Sequence, residues 1–235
     1  GKLESGEVTS PLGTWQLLES PQIVYLANPM NLHVASHCWG QQVSRLCLEK
    51  PLLWGEVKQF GLMFEHIPLG LLNEFLPQGL STQGEFDGRI SVDWRLNKEA
   101  VTVALSSSQG KLRVQQEDEE QLNFDYQSVR INAIRNDSGW LANVNIDSED
   151  IGKLRLDLSI EGDPGPQSKI KMNSTLEGVQ LAVLSPLLLE PTAYVSGLIS
   201  ADLNLRGSIS EPEFGGTLHL RNGTYRQSGR LQEVS

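Results

Sequence analysis

Hydrophobic and polar residues alternate along much of the chain, most regularly over residues 153–162. In this stretch, KLRLDLSIEG, Leu154, Leu156, Leu158 and Ile160 share one parity, and charged or hydroxyl side chains occupy the other. Successive side chains of a β-strand point to opposite faces, so the alternation predicts a strand with one apolar and one polar face. The apolar face could pack on a second sheet, as in a sandwich, or line an open trough. Periodicity alone does not separate these two arrangements.

The same alternation recurs from residue 84 onward, and turn-forming sequences such as NDSG (136–139) and DPGP (163–166) interrupt it. Turn signals every ~8–14 residues are typical of antiparallel sheets in which sequence neighbours pair. The sequence therefore predicts an all-β fold. The apolar positions of its predicted strands, besides those above, are Phe86, Ile90, Val92, Trp94, Leu96, Val101, Val103, Leu105, Leu112, Val114, Leu122, Phe124, Tyr126, Val129, Ile131, Ala133, Trp140, Ala142, Val144, Ile146, Ile170, Met172 and Leu176.

Two segments depart from the alternating pattern. Residues 66–76 (HIPLGLLNEFL) and 179–189 (VQLAVLSPLLL) carry apolar residues at helical spacing. Each segment therefore predicts a short amphipathic helix or helical turn. Gly70 weakens the first helix and Pro186 weakens the second, because both residue types disfavour a helix interior.

These two segments also belong to an internal repeat. Residues 64–76 align with residues 176–188 at an offset of 112, so that Ile67 meets Val179. Repetition on this scale is typical of elongated proteins in which each unit contacts only its neighbours. We therefore predict one elongated β-domain over residues 1–235. Its repeats of strand, short helix and strand cover about residues 64–96 and 176–220.

The charge of the chain narrows the choice of partners. The formal net charge is −10 over 235 residues, and Lys and Arg form no cluster. This argues against a nucleic-acid partner, which usually requires a basic face. The acidic run at residues 117–120 lacks the spaced pattern of a calcium loop, so we interpret it as a solvated turn. No stretch approaches the roughly 20 apolar residues that span a bilayer.

Candidate catalytic chemistry is sparse. His33 and His37 lie four positions apart, which would suit a metal ion on a helix, but MNLHVASHCW has the composition of an extended segment. Residues four apart in a strand are separated by roughly 13 Å, too far to share one metal ion. No nucleophile elbow, phosphate loop or Ser-His-Asp order is present. We therefore expect no enzymatic activity, no cofactor and no metal site.

The two cysteines, Cys38 and Cys47, lie close together, and Gly40 between them could form a turn. Paired strand ends would bring the two sulfur atoms within bonding distance. The alternative is a pair of unrelated reduced thiols. We favour the disulfide, and with it an oxidising compartment.

One stretch carries a family resemblance. Residues 195–226, VSGLISADLNLRGSISEPEFGGTLHLRNGTYR, place Gly-x-Ile before an alternating strand. The Gly207-Ser208 turn, Glu211-Pro212 and the Gly-Thr-Leu-x-Leu element at residues 216–220 follow. This order resembles the repeat of the TamB family of Gram-negative envelope proteins. CWGQQVSRLCLEKPLLW (38–54), with its paired cysteines and following Trp, is also similar to that family.

The resemblance implies a β-sheet curled into a long open trough with an apolar interior, as in AsmA-type and bridge-like lipid-transfer proteins. It implies a periplasmic chain tethered to the inner membrane by a segment outside this sequence, and a piece of a longer protein. The implied partners are phospholipid acyl chains, a TamA-like outer-membrane protein of the Omp85 type and, as a further candidate, nascent outer-membrane proteins.

With the resemblance, we favour the trough over the sandwich and expect it to shield acyl chains during phospholipid transport and outer-membrane biogenesis. An alternative is a scaffold or chaperone that assembles outer-membrane β-barrels by strand addition, and an unrelated periplasmic β-sandwich is a third. The predicted lining residues of the trough are Ile90, Val92, Trp94, Val101, Val103, Leu105, Phe124, Ile131, Val144, Leu154, Leu156, Leu158, Ile160, Ile170, Leu203 and Leu205.

Overall fold

A computed structural model describes residues 1–10, 13–76, 79–95, 98–115, 121–182, 193–227 and 230–234. These residues form one sheet of 18 strands, and every strand pair in it is antiparallel. The all-β prediction is therefore confirmed. The strands are β1 (Glu7–Ser10), β2 (Gly13–Leu17), β3 (Ile23–Ala27), β4 (Met30–Val34), β5 (His37–Gln41), β6 (Ser44–Trp54), β7 (Lys58–Pro68), β8 (Leu80–Arg95), β9 (Lys98–Ser107), β10 (Gly110–Gln115), β11 (Gln121–Tyr126), β12 (Ser128–Asn136), β13 (Gly139–Ser148), β14 (Gly152–Glu161), β15 (Ile170–Gln180), β16 (Ala193–Gly207), β17 (Pro212–Gln227) and β18 (Arg230–Val234).

The strands follow one another across the sheet with two detours. From β12 to β18 each strand pairs with the next, as predicted for strands that are neighbours in the sequence. In the first detour, β2 pairs with β5, and the β3–β4 hairpin lies against the end of β6. In the second, β9 pairs with β12, and the β10–β11 hairpin pairs instead with the beginning of β8.

The sheet leaves much of its apolar face uncovered. The solvent-accessible surface of the chain is 15557 Å², whereas a compact monomer of 26.0 kDa would expose about 10,500 Å². The buried hydrophobic residues of the described chain are correspondingly few: Trp15, Cys47, Ile67, Phe124, Val179, Leu181, Ala201 and Leu205. The open trough is therefore the arrangement found, and the sandwich alternative is wrong.

The helical prediction for residues 66–76 holds only in part. His66, Ile67 and Pro68 still belong to β7, and a 3₁₀ helix, η1 (Leu69–Phe75), follows. Thr82 fixes this turn, because its backbone N–H donates to Asn73 Oδ1 at 2.8 Å and its hydroxyl donates to the Leu69 carbonyl at 3.1 Å. These contacts tie the helix to β8.

The second helical prediction begins too early. Val179 and Gln180 still belong to β15. A register shift between Leu176 and Val179 places the Val179 side chain in the small core. The rest of the predicted helix from residue 183, the acidic run at residues 117–120, and Leu96 lie outside the described residues. Within the described part of the chain, no helix has both the length and the apolar character needed to cross a membrane.

Candidate functional site

Apolar side chains of neighbouring strands lie opposite one another, so apolar rows cross the sheet at right angles to the strands. Residues that are directly opposite in an antiparallel pair share a face. The first row, from β6 to β17, consists of Leu46, Phe64, Gly88, Leu105, Ile131, Val144, Leu156, Ser174, Leu203 and Gly216. The second row, over the same strands, consists of Leu48, Leu62, Ile90, Val103, Ala133, Ala142, Leu158, Met172, Leu205 and Phe214. At about 4.8 Å per strand, these rows run for about 40 Å.

Two shorter rows flank them on the same face. The third row consists of Phe60, Val92, Val101, Arg135, Trp140, Ile160 and Ile170. The fourth row consists of Ser107, Val129, Ile146, Leu154, Leu176, Ala201 and Leu218. Alternate residues of a strand lie ~6.6 Å apart, so the four rows form a band about 20 Å wide. We call this band the trough face.

The opposite face of the sheet is polar at the corresponding positions. Between the first two rows of the trough face, the outer side carries a row of Asn132, Asn143, Asp157, Asn173 and Asn204. The side chains in this row bond to one another, as where Asn143 Nδ2 donates to Asp157 Oδ1 at 2.6 Å. The sheet therefore has one wet face and one apolar face, as the alternation in residues 153–162 predicts.

The structure brings the predicted lining residues to the trough face, except Phe124, which lies on the hairpin opposite it. All but two of them lie in the four rows. Trp94 extends the same face at the end of β8, where it lies opposite Lys58 and Glu99. Phe124 lies on β11 opposite Leu112. Whether these side chains contact a lipid stays a prediction.

Most of these residues are neither buried nor fully exposed. Among the predicted lining residues only Phe124 and Leu205 are buried, at 4% and 9% exposure. Trp94 is 40% exposed and Leu203 is 45% exposed. The remaining members are half-buried. In a closed core such residues would be almost fully covered, so this exposure is the signature of an apolar surface that lacks a covering layer.

An ion cluster interrupts the third row. Arg135 Nη1 donates to Asp163 Oδ1 at 2.7 Å, and its Nη2 donates to Glu99 Oε2 at 2.5 Å. The hydrogen bonds to Asp163 and then Glu99 raise the pKa of Arg135 above its usual range. The guanidinium also lies 5.8 Å from the ring centres of both Trp94 and Trp140. The cluster is a polar boundary beside the two central apolar rows.

Arg135 is not among the residues predicted from the sequence. A signal for it is present, because Arg135 shares the parity of the apolar residues Val129, Ile131 and Ala133 in β12. A charged residue on the apolar parity of a strand requires a counter-charge or solvent. Asp163 supplies that counter-charge from the turn after β14, so the partner is distant in sequence and not readable from β12.

The sheet forks at β8. Residues 80–84 of this strand pair with β10, and residues 87–95 pair with β9. The β10–β11 hairpin therefore departs from the main run of strands. Its return strand is fixed to the turn after β13, where the Asp125 N–H donates to Asp150 Oδ2 at 2.8 Å.

A cavity of about 420 Å³ lies between this hairpin and the trough face. Leu105 and Ile131 of the first row and Ile146 of the fourth row line one side, while Leu112 and Phe124 of the hairpin line the other. Its walls are hydrocarbon over nearly their whole area. Of these residues, Leu105, Ile131 and Phe124 are among the predicted lining residues. The cavity itself is not predicted, because nothing in the β10–β11 sequence shows that the hairpin leaves the sheet.

The cysteine pair is bonded in the structure. Cys38 and Cys47 lie directly opposite each other in β5 and β6, and their sulfur atoms are 2.06 Å apart.

The two histidines that are four positions apart lie on different strands, His33 in β4 and His37 in β5. Over the described ranges, no group of three or more His, Cys, Asp or Glu side chains is arranged to hold a metal ion.

Comparison with known proteins identifies a family for this chain. The family model described as TamB, N-terminal domain, matches residues 1–220. A curated relative, translocation and assembly module subunit TamB of Haemophilus influenzae, is 19% identical over 222 residues, which cover 94% of this chain and 17% of the relative. No solved structure matches the chain. Since the family model covers nearly the whole sequence, the chain belongs to the TamB family, within its N-terminal domain.

Proposed function

We propose that the trough face shields lipid acyl chains from water, and that the full-length protein uses it to move phospholipids between the inner and outer membranes. The observation that carries this proposal is the partial exposure of apolar rows that run from β6 to β17. A protein that needed these side chains only for its own stability would cover them. An apolar surface of this length left open to solvent is expected where it meets another molecule.

The energetics favour a lipid tail on this face. Each methylene removed from water contributes roughly 0.8 kcal/mol, so an acyl chain strongly prefers the trough face to solvent. In the middle of the first row, branched aliphatic side chains follow one another from strand to strand, as in Ile131, Val144 and Leu156. The free energy of a tail should therefore change little as it shifts by one strand, and sliding should meet only small barriers.

The polar head group has a place outside the apolar rows. The cluster of Arg135, Glu99 and Asp163 bounds the third row, and the trough is open to water. A head group that stays in solvent above this boundary keeps its hydration while the tail is buried. This arrangement requires no bond to be made or broken, and the proposal therefore includes no catalytic residue, cofactor or metal ion.

The cellular setting follows from the family and is part of the proposal. The Haemophilus influenzae relative is named as a subunit of a translocation and assembly module. By analogy, this chain works in the periplasm as part of an inner-membrane-tethered protein whose outer-membrane partner resembles TamA. The disulfide between Cys38 and Cys47 suits an oxidising compartment of that kind.

A pair of charge substitutions tests the proposal. Leu156 lies in the first row, and the next residue, Asp157, lies on the outer face. In the full-length protein, Leu156→Arg should impair growth and the outer-membrane permeability barrier, whereas Asp157→Arg should not. If Leu156→Arg accumulates to normal levels and supports the barrier as well as wild type does, the trough face has no role in lipid movement.

One observation favours a second function, the assembly of outer-membrane β-barrels by strand addition. Strand β18 pairs only with residues 223–227 of β17, so residues 212–222 have no strand on that side among the described residues. Phe214 and Leu218 in this part are 78% and 64% exposed. An open edge of this kind can accept an extended segment of another protein. A photoreactive residue at Leu220 that captures outer-membrane proteins, and not lipid, would favour this second function.

A further inference from the structure

The cavity at the fork of the sheet offers almost no polar surface to a ligand. Five residues with hydroxyl side chains line it: Thr82, Ser106, Ser107, Tyr126 and Ser148. The Thr82 hydroxyl donates to the Leu69 carbonyl at 3.1 Å. Ser106 lies opposite Asp87 and Arg130 and so belongs to the outer face of the sheet. The Ser107 hydroxyl donates to the Glu85 carbonyl at 2.7 Å and also bonds to the Tyr126 hydroxyl at 2.8 Å. The Ser148 hydroxyl donates to the Asp125 carbonyl at 2.5 Å. The hydroxyl groups of Thr82, Ser107, Tyr126 and Ser148 thus have hydrogen-bond partners within the protein, so an occupant of the cavity has few polar groups to bind.

The apolar wall of the cavity therefore favours a hydrocarbon ligand over a polar one. Apolar cavities without free polar groups hold no ordered water and take apolar ligands. The volume of about 420 Å³ falls within the range of small-molecule sites. A head group or a polar peptide would lose its hydration in the cavity and gain no hydrogen bonds in return.

The cavity is also continuous with the trough face. Leu105 and Ile131 line it and at the same time belong to the first row. The hairpin of β10 and β11 stands over this part of the sheet, and Phe124 on β11 is 4% exposed. An acyl chain that lies along the first row toward β9 would therefore run under the hairpin and end in the cavity.

We propose that the fork cavity binds the methyl end of an acyl chain whose remainder lies along the trough face. The β10–β11 hairpin then acts as a stop, and the trough has one defined position at which a tail is held. The inference rests on the proposed lipid-shielding function, because it takes the tail to arrive along the rows. It adds a specific site to a surface that otherwise offers many similar positions.

Two photoreactive fatty acids test this inference on the wild-type chain. Both are palmitate analogues with a diazirine group, one carrying it on the terminal carbon and the other next to the carboxyl group. After irradiation, mass spectrometry locates the labelled residues. The terminal diazirine should label the fork cavity, at Leu112, Phe124 or Ile146, and the carboxyl-proximal diazirine should label the trough face away from it.

A pair of variants on one strand supplies the control. Val129→Phe places a larger side chain in the wall of the cavity, whereas Ile134→Phe changes an exposed residue on the outer face of the same strand, β12. If Val129→Phe displaces about two methylenes, it should weaken binding of the terminal-diazirine palmitate about tenfold. Ile134→Phe should leave the affinity unchanged.

The outcomes of the labelling separate the two proposals. Labels from the terminal diazirine that spread evenly along the rows would overturn the fork site and leave the lipid-shielding function standing. Labels confined to the cavity with both probes would overturn the proposal that the tail continues along the trough face. Labels only on the outer face would overturn both. The comparison of the two probes on the wild-type chain needs no variant, so a Val129→Phe chain that fails to fold does not prevent the test.

Discussion

Ile67 of β7 and Val179 of β15 occupy equivalent positions in two β-bulges 112 residues apart. Both side chains are buried, at 7% and 4% exposure, and each follows a residue with positive φ: His66 at 51° and Gly178 at 72°. A bulge inserts a residue and bends its strand, which here turns an apolar side chain into the small core. The predicted repeat aligns these same positions. The repeat itself stays a prediction from the sequence.

The left-handed conformation of Gly178 should matter for stability. A Cβ added there would meet no atom within 4 Å, so Gly178→Ala isolates the conformational cost of its φ of 72°. We expect Gly178→Ala to lower the free energy of unfolding by about 1 kcal/mol in urea denaturation. Gly165→Ala is the control, because Gly165 lies outside the left-handed region and its nearest neighbour would be 3.8 Å away. Equal effects of the two substitutions would contradict this explanation of the bulge.

Leu203 and Leu205 represent an exposed and a buried part of the trough face. Both point to the same face of β16, but Leu203 is 45% exposed and Leu205 is 9% exposed. Leu205→Ala should cost about 2–3 kcal/mol of stability because it empties a packed site. Leu203→Ala should cost less than about 1 kcal/mol, since nearly half of its surface already meets water.

The measurement is again the free energy of unfolding, accompanied by lipid binding. If the trough face holds acyl chains, Leu203→Ala weakens binding of a fluorescent fatty acid although the protein remains stable. A Leu203→Ala chain that is as destabilised as Leu205→Ala would show that the trough face is covered in solution.

The disulfide should stabilise the β5–β6 hairpin. Cys38 and Cys47 close a loop with a sequence separation of 9, for which the chain-entropy model gives about 2–3 kcal/mol. Reduction should lower the thermal midpoint of the wild type and leave that of the Cys38→Ser, Cys47→Ser double variant unchanged. A wild-type midpoint that is insensitive to reductant would mean that the bond is absent from the folded protein.

Arg135 should stabilise the ion cluster that interrupts the third row. Replacing it by Met removes the ion pairs to Glu99 and Asp163 and the contacts with the rings of Trp94 and Trp140. We expect Arg135→Met to shift tryptophan emission and to lower the unfolding midpoint at low salt more than at high salt, where ion pairs are screened. Arg155→Met, on the outer face, is the control and should change tryptophan emission little.

Much of the trough face could be predicted from the sequence, because alternation sets the face of every residue in a regular strand. The parity of Leu154, Leu156 and Leu158 identified the apolar side correctly. The covering of that side could not be read from parity, since a sandwich and a trough require the same alternation. The family resemblance made the choice, and the exposure of residues such as Leu203 now supports it.

The fork and the ion cluster could not be predicted, for a related physical reason. Leu112 and Phe124 have the pattern of ordinary sheet residues, whereas β10 pairs with β8 through contacts distant in sequence. Arg135 depends in the same way on Asp163. Local pattern determines the faces of a strand, and long-range pairing determines what those faces meet.

Site-specific photocrosslinking in the full-length protein can show whether lipid tails lie on the trough face, as we claim. A photoreactive residue replaces Leu156, in the first row, or Asp157, on the outer face, and mass spectrometry identifies the adducts. We predict phospholipid attached at position 156 and absent at position 157. Adducts at position 156 that contain only the protein's own chain would mean a closed core there and would contradict the claim.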